Sequence, residues 1–464
     1  MRSIHCLAAL LVLASPSLAS DWPQFQGPAG DGTSKETGLV RAFPESGPRV
    51  LWSIGVEPGY GGAAVRDGEV YFLDRISGEK DVLLAVDLKS GEELWRFENE
   101  TPGRLMYPGS RGVPTVTEGF VYAIGGFGHL YCIDRKTHEA AWILDVVADY
   151  GGEMPMFGYA NSPLVLDDLV IVAPMGSDVG LLALDRKTGD EIWTFGGLGS
   201  SHSTPVVLDL MGKTQILFVS STIDMSAFGD MPEPPADAPM PGSTPPSESE
   251  VPEEFADFQI PGSGLITALS PGGDLLWQSR SYYCSTPIPF PVKIDDEHVF
   301  FTGGYDAGSV LLRMSKDGSK YELEEVFRTE LGGQIHIPMV VDDHLYLLVN
   351  ENSNDPRPRR KNGGLMCMDL EGKEKWRTGD APYFGRGNMI LADGILIIQD
   401  GRSGFLRLVE PTSAGYQLLA EANIFDKDQR RDHRVWAPMA LAGGHLLMRS
   451  QEQLKCVSLE KSAD

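Results

Sequence analysis

A short phrase recurs eight times along the chain: an alternating apolar strand, an Asp, a polar turn ending in Gly, and a Trp four residues beyond that Gly. Its clearest copies read LLAVDLKSGEELW (Leu83–Trp95) and LLALDRKTGDEIW (Leu181–Trp193). A third, LYCIDRKTHEAAW (Leu130–Trp142), carries His138 in place of the Gly. Weaker copies end in Trp277 and Trp376, and degenerate ones survive at 311–327, 405–419 and 454–459. Self-similarity with a period of about 40–50 residues belongs to propellers and solenoids, whose units cannot bury their faces alone.

A second pattern precedes each phrase: Pro, alternating apolar residues, an acidic or Gly turn, and another apolar run. VPTVTEGFVYAIG (Val113–Gly125), SPLVLDDLVIVAP (Ser162–Pro174) and IPMVVDDHLYLLV (Ile337–Val349) are examples. Turn residues between alternating runs mark hairpins, and Pro at the first strand position removes no ladder bond. Each unit therefore supplies four antiparallel strands. Third strands centre near Ala85, Cys132, Ala183, Ala268, Arg313, Cys367, Arg407 and Cys456, at separations of 47, 51, 85, 45, 54, 40 and 49. The outlier holds a Pro- and acid-rich stretch, 223–262, whose composition cannot repay the entropy of ordering. It reads as a disordered insertion between the second and third strands of the fourth unit. The last copy has no room for an outer strand, and Arg49–Ile54 has outer-strand composition. The expectation is an all-β, eight-bladed propeller over 49–464, closed by an N-terminal outer strand, with 20–48 as an extension.

Residues 1–19 read as a secretory leader: Arg2, an apolar run from Cys6 to Leu13, then Ser17-Leu18-Ala19 in the small-x-small cleavage pattern. That run is too short to span a bilayer, and no later one approaches the ~20 residues needed. The chain is expected to be exported, to the periplasm or beyond. A formal net charge of −26 repels phosphates and argues against nucleic acid as a partner. Cys132, Cys367 and Cys456 fall where other copies carry Ala, which points to small buried thiols in separate blades rather than disulfides. A monomer is expected.

Chemistry is expected where the inner strands begin, because these lead-in residues converge at one mouth of a central channel. They are Arg111, Asn161, His202 with Ser203, Tyr283 with Cys284, Gln334 with His336, Arg386 with Asn388, and Arg434 with Trp436. Polar groups converging on a concave mouth suit a small ligand; bonding to loop carbonyls and water is the alternative. The candidate ligand contacts are Arg111, Asn161, His202, His336, Arg386 and Trp436. Two Arg and a Trp suit a flat anionic or sugar-like molecule. No catalytic residue and no metal ligand is assigned. His202 and His336 lack an HxH or HExxH context, and Asp167-Asp168, Asp295-Asp296 and Asp342-Asp343 sit where hairpin turns explain them. The Trp series at 52, 95, 142, 193, 277 and 376 is expected to pack between blades; Trp436 is off that register.

The phrase Asp-x-x-Thr-Gly-x-x-x-Trp, intact at Asp185–Trp193 and nearly so at Asp87–Trp95, resembles the repeat of the pyrroloquinoline-quinone (PQQ) propeller family. The resemblance covers residues 49–459, and the opening Asp21–Pro28 with Gly30-Asp31-Gly32 also resembles the start of exported PQQ-like repeat proteins. It implies Trp docking between blades. The family holds quinoprotein dehydrogenases as well as a non-catalytic lipoprotein of outer-membrane assembly. This chain has no adjacent Cys pair, no CxxCH haem motif, no set matching the quinoprotein calcium site and catalytic base, and no lipid-anchoring Cys. The departures lead to an exported non-catalytic binding or scaffold propeller, recognising a small ligand or a protein partner at the mouth. The alternative is a PQQ- and calcium-dependent oxidoreductase acting on an alcohol or sugar.

Overall fold

The computed structural model describes residues 21–224, 262–318, 320–349, 363–425 and 434–461. The expected leader, and all but the edges of the expected insertion, lie outside these residues.

Eight sheets of four antiparallel strands form the blades of a propeller, one of them extended by a short parallel fifth strand. Blade 1 comprises β3 (Ala63–Arg66), β4 (Glu69–Ile76), β5 (Lys80–Asp87) and β6 (Glu93–Glu100), in chain order from the channel outward. Blades 2 to 7 repeat this order, and each third strand falls where the repeat places it: β9 (His129–Asp134), β13 (Leu181–Asp185), β17 (Gly262–Leu269), β21 (Gly308–Asp317), β25 (Gly364–Asp369) and β29 (Phe405–Glu410). In blade 4, β16 (Lys213–Ile223) pairs with β17, so the long connection does separate second and third strands. The closing blade is composite. β2 (Val50–Gly55) pairs antiparallel with β33 (Gln453–Ser458), setting Trp52 opposite Cys456. Pairing the two chain regions in one sheet leaves no open seam.

One register explains the repeat chemistry. The Trp of each outer strand faces a small third-strand residue, as in Ala85↔Trp95, Cys132↔Trp142, Ala183↔Trp193, Ala268↔Trp277 and Cys367↔Trp376, and the strand bulges immediately after the pair. Where the Trp is lost the partner grows: Leu311 faces Phe327 and Leu408 faces Ala420. Trp52, Trp142, Trp193 and Trp376 also cross to the next blade, whereas the Trp277 indole donates to Gln215 of its own blade. The Trp52 indole donates to the Leu88 carbonyl at 2.8 Å, and that of Trp193 to Pro271 at 3.0 Å. Gly189, at φ +76°, sits directly under the Trp142 ring, where an added Cβ would lie 2.9 Å from the indole. The turn Gly is thus required both for its left-handed backbone and for the close approach of the ring. The four described cysteines, Cys132, Cys284, Cys367 and Cys456, are buried free thiols.

The stretch before β2 lies across the far ends of the inner strands. Trp22 exchanges backbone bonds with Val65 of blade 1, the Pro23 carbonyl accepts from Val116 of blade 2, and β1 (Thr33–Ser34) pairs in parallel with β27 (Asn388–Ala392) of blade 7. Between these anchors, Phe25 meets Phe290 edge to face with ring centroids 5.8 Å apart. No described helix is long and apolar enough to cross a membrane.

Candidate functional site

A cavity of about 340 Å³ opens at the starts of the inner strands, with Phe25 among its lining residues, contributed from the far side. Of the six contacts expected from sequence, Arg111, His202, His336, Arg386 and Trp436 line it. Asn161 does not. Its neighbours Ala160 and Ser162 face the cavity, whereas Asn161 is buried and its amide donates to the Ser203 carbonyl, tying blade 3 to blade 4. Cys284 is likewise core, and Ile288 replaces it in the lining from blade 5.

The positive charge is concentrated and framed by rings. The Arg386 guanidinium lies 4.5 Å from the Trp436 ring centroid and its Nε donates to Gln334 Oε1 at 2.7 Å. The Arg434 guanidinium lies 5.6 Å from the Trp436 ring centroid and 5.3 Å from that of Tyr107. Tyr60 stacks on Trp436 with centroids 5.4 Å apart and planes 29° from parallel. Tyr107 meets Tyr60 edge-on, and Phe157 meets both Tyr107 and His202. Burial pushes the Tyr60 and Tyr305 phenols above their usual range, so both are neutral donors.

Arg111 differs from the other two cations. Its guanidinium donates only to carbonyls, Gly109 O at 2.7 Å and Tyr107 O, and no described carboxylate pairs with it. Burial pushes it down to about 10. Arg111 is partly buried, and even a partly desolvated cation without a counter-charge is costly. His202 is unsatisfied in a complementary way. Its Nε2 accepts the Phe157 N–H at 3.4 Å, which puts the ring proton on Nδ1, and Nδ1 has no partner. Burial, reinforced by Arg111, holds its pKa near 3, and burial does the same for His336, whose ring accepts from the Asn388 amide at 3.1 Å. Both rings are neutral near pH 7 and poor proton acceptors.

Sequence reasoning missed Tyr60, Tyr107, Phe157 and Tyr305. Tyr60 is the lead-in of blade 1, three residues before Ala63, and the other three lie on connecting loops; all four have glycine-flanked settings, PGYGG, MYPGS, MFGYA and GGYDAG. An aromatic set among Gly or Pro in a loop that the repeat does not account for is the signal that would have found them.

A family model described as outer membrane protein assembly factor BamB, one of the PQQ-repeat models, matches residues 79–227. That match covers about a third of the chain, and over it, as in its ring of blades, the chain is similar to the PQQ-like repeat propellers. Its curated relatives include the quinohemoprotein alcohol dehydrogenase ADH-IIG of Pseudomonas putida, 29% identical over 28% of this chain and 18% of the relative. They also include the 1-butanol dehydrogenase (cytochrome c) of Thauera butanivorans, 25% identical over 37% of this chain and 25% of the relative. The matches thus span only about a fifth to a quarter of these relatives' length. Among solved structures, a europium-containing methanol dehydrogenase superposes at TM-score 0.63 and 13% identity, covering 92% of this chain and 89% of that one. BamB from Moraxella catarrhalis gives 0.55 and 14%, covering 90% and 98%. At these identities the structures share the fold.

The propeller's residues fit one partner of quinoprotein chemistry and not the other. Unneutralised guanidinium and an orphaned N–H in an aromatic frame suit a flat polycarboxylate such as PQQ. A calcium or lanthanide ion takes oxygen ligands, carboxylates above all. The lining holds no Asp or Glu, and no group of three potential ligands occurs among the described residues.

Proposed function

We propose that the propeller is an exported quinoprotein-type protein that binds PQQ, or a flat anion of that form, at its channel mouth. The observation that carries this reading is the frame of Arg111, Arg386 and Arg434 around the stacked Trp436 and Tyr60. Arg111 and Arg386 bring guanidinium charge into the lining, the Trp436 and Tyr60 faces offer a plate for a conjugated ring, and His202 Nδ1 offers a neutral N–H to a carbonyl or carboxylate. PQQ, when bound, supplies the capacity to accept two electrons and a proton from an alcohol. The alcohol dehydrogenases among the relatives support that activity here. The first test is titration of the purified chain with PQQ, followed by visible absorbance and by dye reduction with alcohols and sugars. Saturable binding with dye reduction is the expected result; no binding of PQQ under any ionic condition sinks the reading.

A non-catalytic role is the second reading, and the rings of His202 and His336 favour it. With both pKa values near 3 and no carboxylate in the lining, no described group in the mouth is a competent base at neutral pH. Binding of PQQ without turnover of any alcohol or sugar is the outcome that selects it.

A further inference from the structure

We infer that the mouth binds an aromatic polycarboxylate without a metal ion, with the guanidinium of Arg111 as the charge that a divalent or trivalent cation would otherwise supply. This deepens the reading that the site takes a flat anion. It rests on a specific imbalance: an arginine is carried into a cavity wall, held by two carbonyls, and given no acidic partner.

Three features make that imbalance a ligand site rather than an accident of packing. Elsewhere, the molecule neutralises its most deeply buried arginines. Arg75 pairs with Asp81 at 2.8 Å and Arg449 with Asp74 at 2.9 Å, all four side chains being buried. Arg111 alone of these three has no such carboxylate. The adjacent His202 is more than nine-tenths buried and keeps an unpartnered Nδ1–H, a second donor waiting for an acceptor. Finally, the two carbonyls that hold Arg111 come from one short loop, Tyr107 and Gly109, so the fork is fixed before any ligand arrives. A pre-organised, desolvated cation binds an anion more strongly than a solvated one. A metal ion placed beside it would instead be repelled, and would find no carboxylate among the described lining residues.

The test is calorimetric titration of the full chain with PQQ and, in parallel, with the colourless aromatic tricarboxylate trimesate. Each titration is run in EDTA, in calcium and in europium. At least one probe is expected to bind with the same affinity in all three, within about twofold. Arg111→Met is expected to weaken it about ten- to hundredfold, the loss of a charge-assisted bond. Arg111→Lys, which keeps the charge but loses the fork, is expected to weaken it less and to remain indifferent to metal. The same Met substitution should leave the thermal midpoint of the free protein unchanged or raise it, since it removes an unpaired, partly buried charge; a merely structural Arg would lower it. Trimesate binding through Arg111 with no PQQ binding would reject the quinone reading and keep this one. PQQ binding only with calcium or europium would do the reverse. Affinity unchanged in both Arg111 variants, no binding of either probe, or a midpoint well below that of the parent in Arg111→Met would overturn the inference.

Discussion

At the girdle, Trp52 donates to the Leu88 carbonyl and Trp193 to Pro271, and glycines under Trp142 and Trp193 let the rings touch backbone. At the mouth, Arg111 and His202 each occur once, and each keeps an unmet electrostatic or hydrogen-bonding demand. The girdle repeats one solution and satisfies it everywhere but at the Trp95 indole; the mouth breaks the repeat and leaves groups waiting. Stability is expected to live in the first region and affinity in the second. Substitutions can pull the two apart.

The largest effect is expected at the closing seam. Trp52→Ala empties a buried site between the last blade and the first and should cost about 3–5 kcal/mol, read as a fall in denaturant midpoint. Trp436→Ala at the mouth should barely move that midpoint while weakening ligand binding. Equal stability losses in the two variants would dissolve the distinction.

Acid should next expose the mouth's cost. His202 and His336 are held near 3 in the folded state, below the ~6.5 of a free imidazole, so the unfolded chain takes up protons first as pH falls. Their contribution is intact above about pH 6.5 and lost progressively below it, by about 1.4 kcal/mol per pH unit for each ring. By pH 5 that is roughly 2 kcal/mol per ring. His202→Phe should flatten the midpoint-versus-pH curve by one ring's share; an unchanged slope between pH 6.5 and 5 would mean that His202 is not held neutral.

The smallest contrast lies inside the girdle. Gly189→Ala forces a Cβ against Trp142 at a left-handed backbone position and should cost about 1–3 kcal/mol. In the preceding blade His138 already occupies the equivalent place at φ 63°, and Trp95 stacks on its ring with centroids 4.9 Å apart instead of on backbone. The Trp95 indole N–H is left without a partner there. His138→Gly trades stacking for relief of strain, two terms of about 1 kcal/mol each that oppose one another. Its midpoint should stay close to that of the parent, and a loss as large as that of Gly189→Ala would show that the stacked ring carries the seam.

Architecture was legible in the sequence because one local rule, a small residue opposite Trp followed by a bulge, is written out blade after blade. Even the degenerate copies obey it by compensation, Leu408 facing Ala420. The site was legible only where it shares the repeat's register, as Arg111, His202, His336, Arg386 and Trp436 do. Asn161 shows the limit: one residue's difference along an extended strand turns a side chain to the opposite face. Tyr60 shares the repeat's register at the start of blade 1 and was overlooked there, whereas Tyr107, Phe157 and Tyr305 lie on loops whose paths depend on neighbouring blades, and no period marks them. The preference for a non-catalytic scaffold rested on missing motifs, and the alcohol dehydrogenases among the relatives favour the quinoprotein alternative instead.

The stretch from Trp22 to Ser34 is more than a strap between blades. By lying across the far ends of the inner strands, it carries Phe25 into the cavity lining from below. A ligand that passes Tyr60, Tyr107 and Trp436 on arrival and again on leaving meets the same barrier twice, so a substitution there that eases its arrival equally shortens its residence.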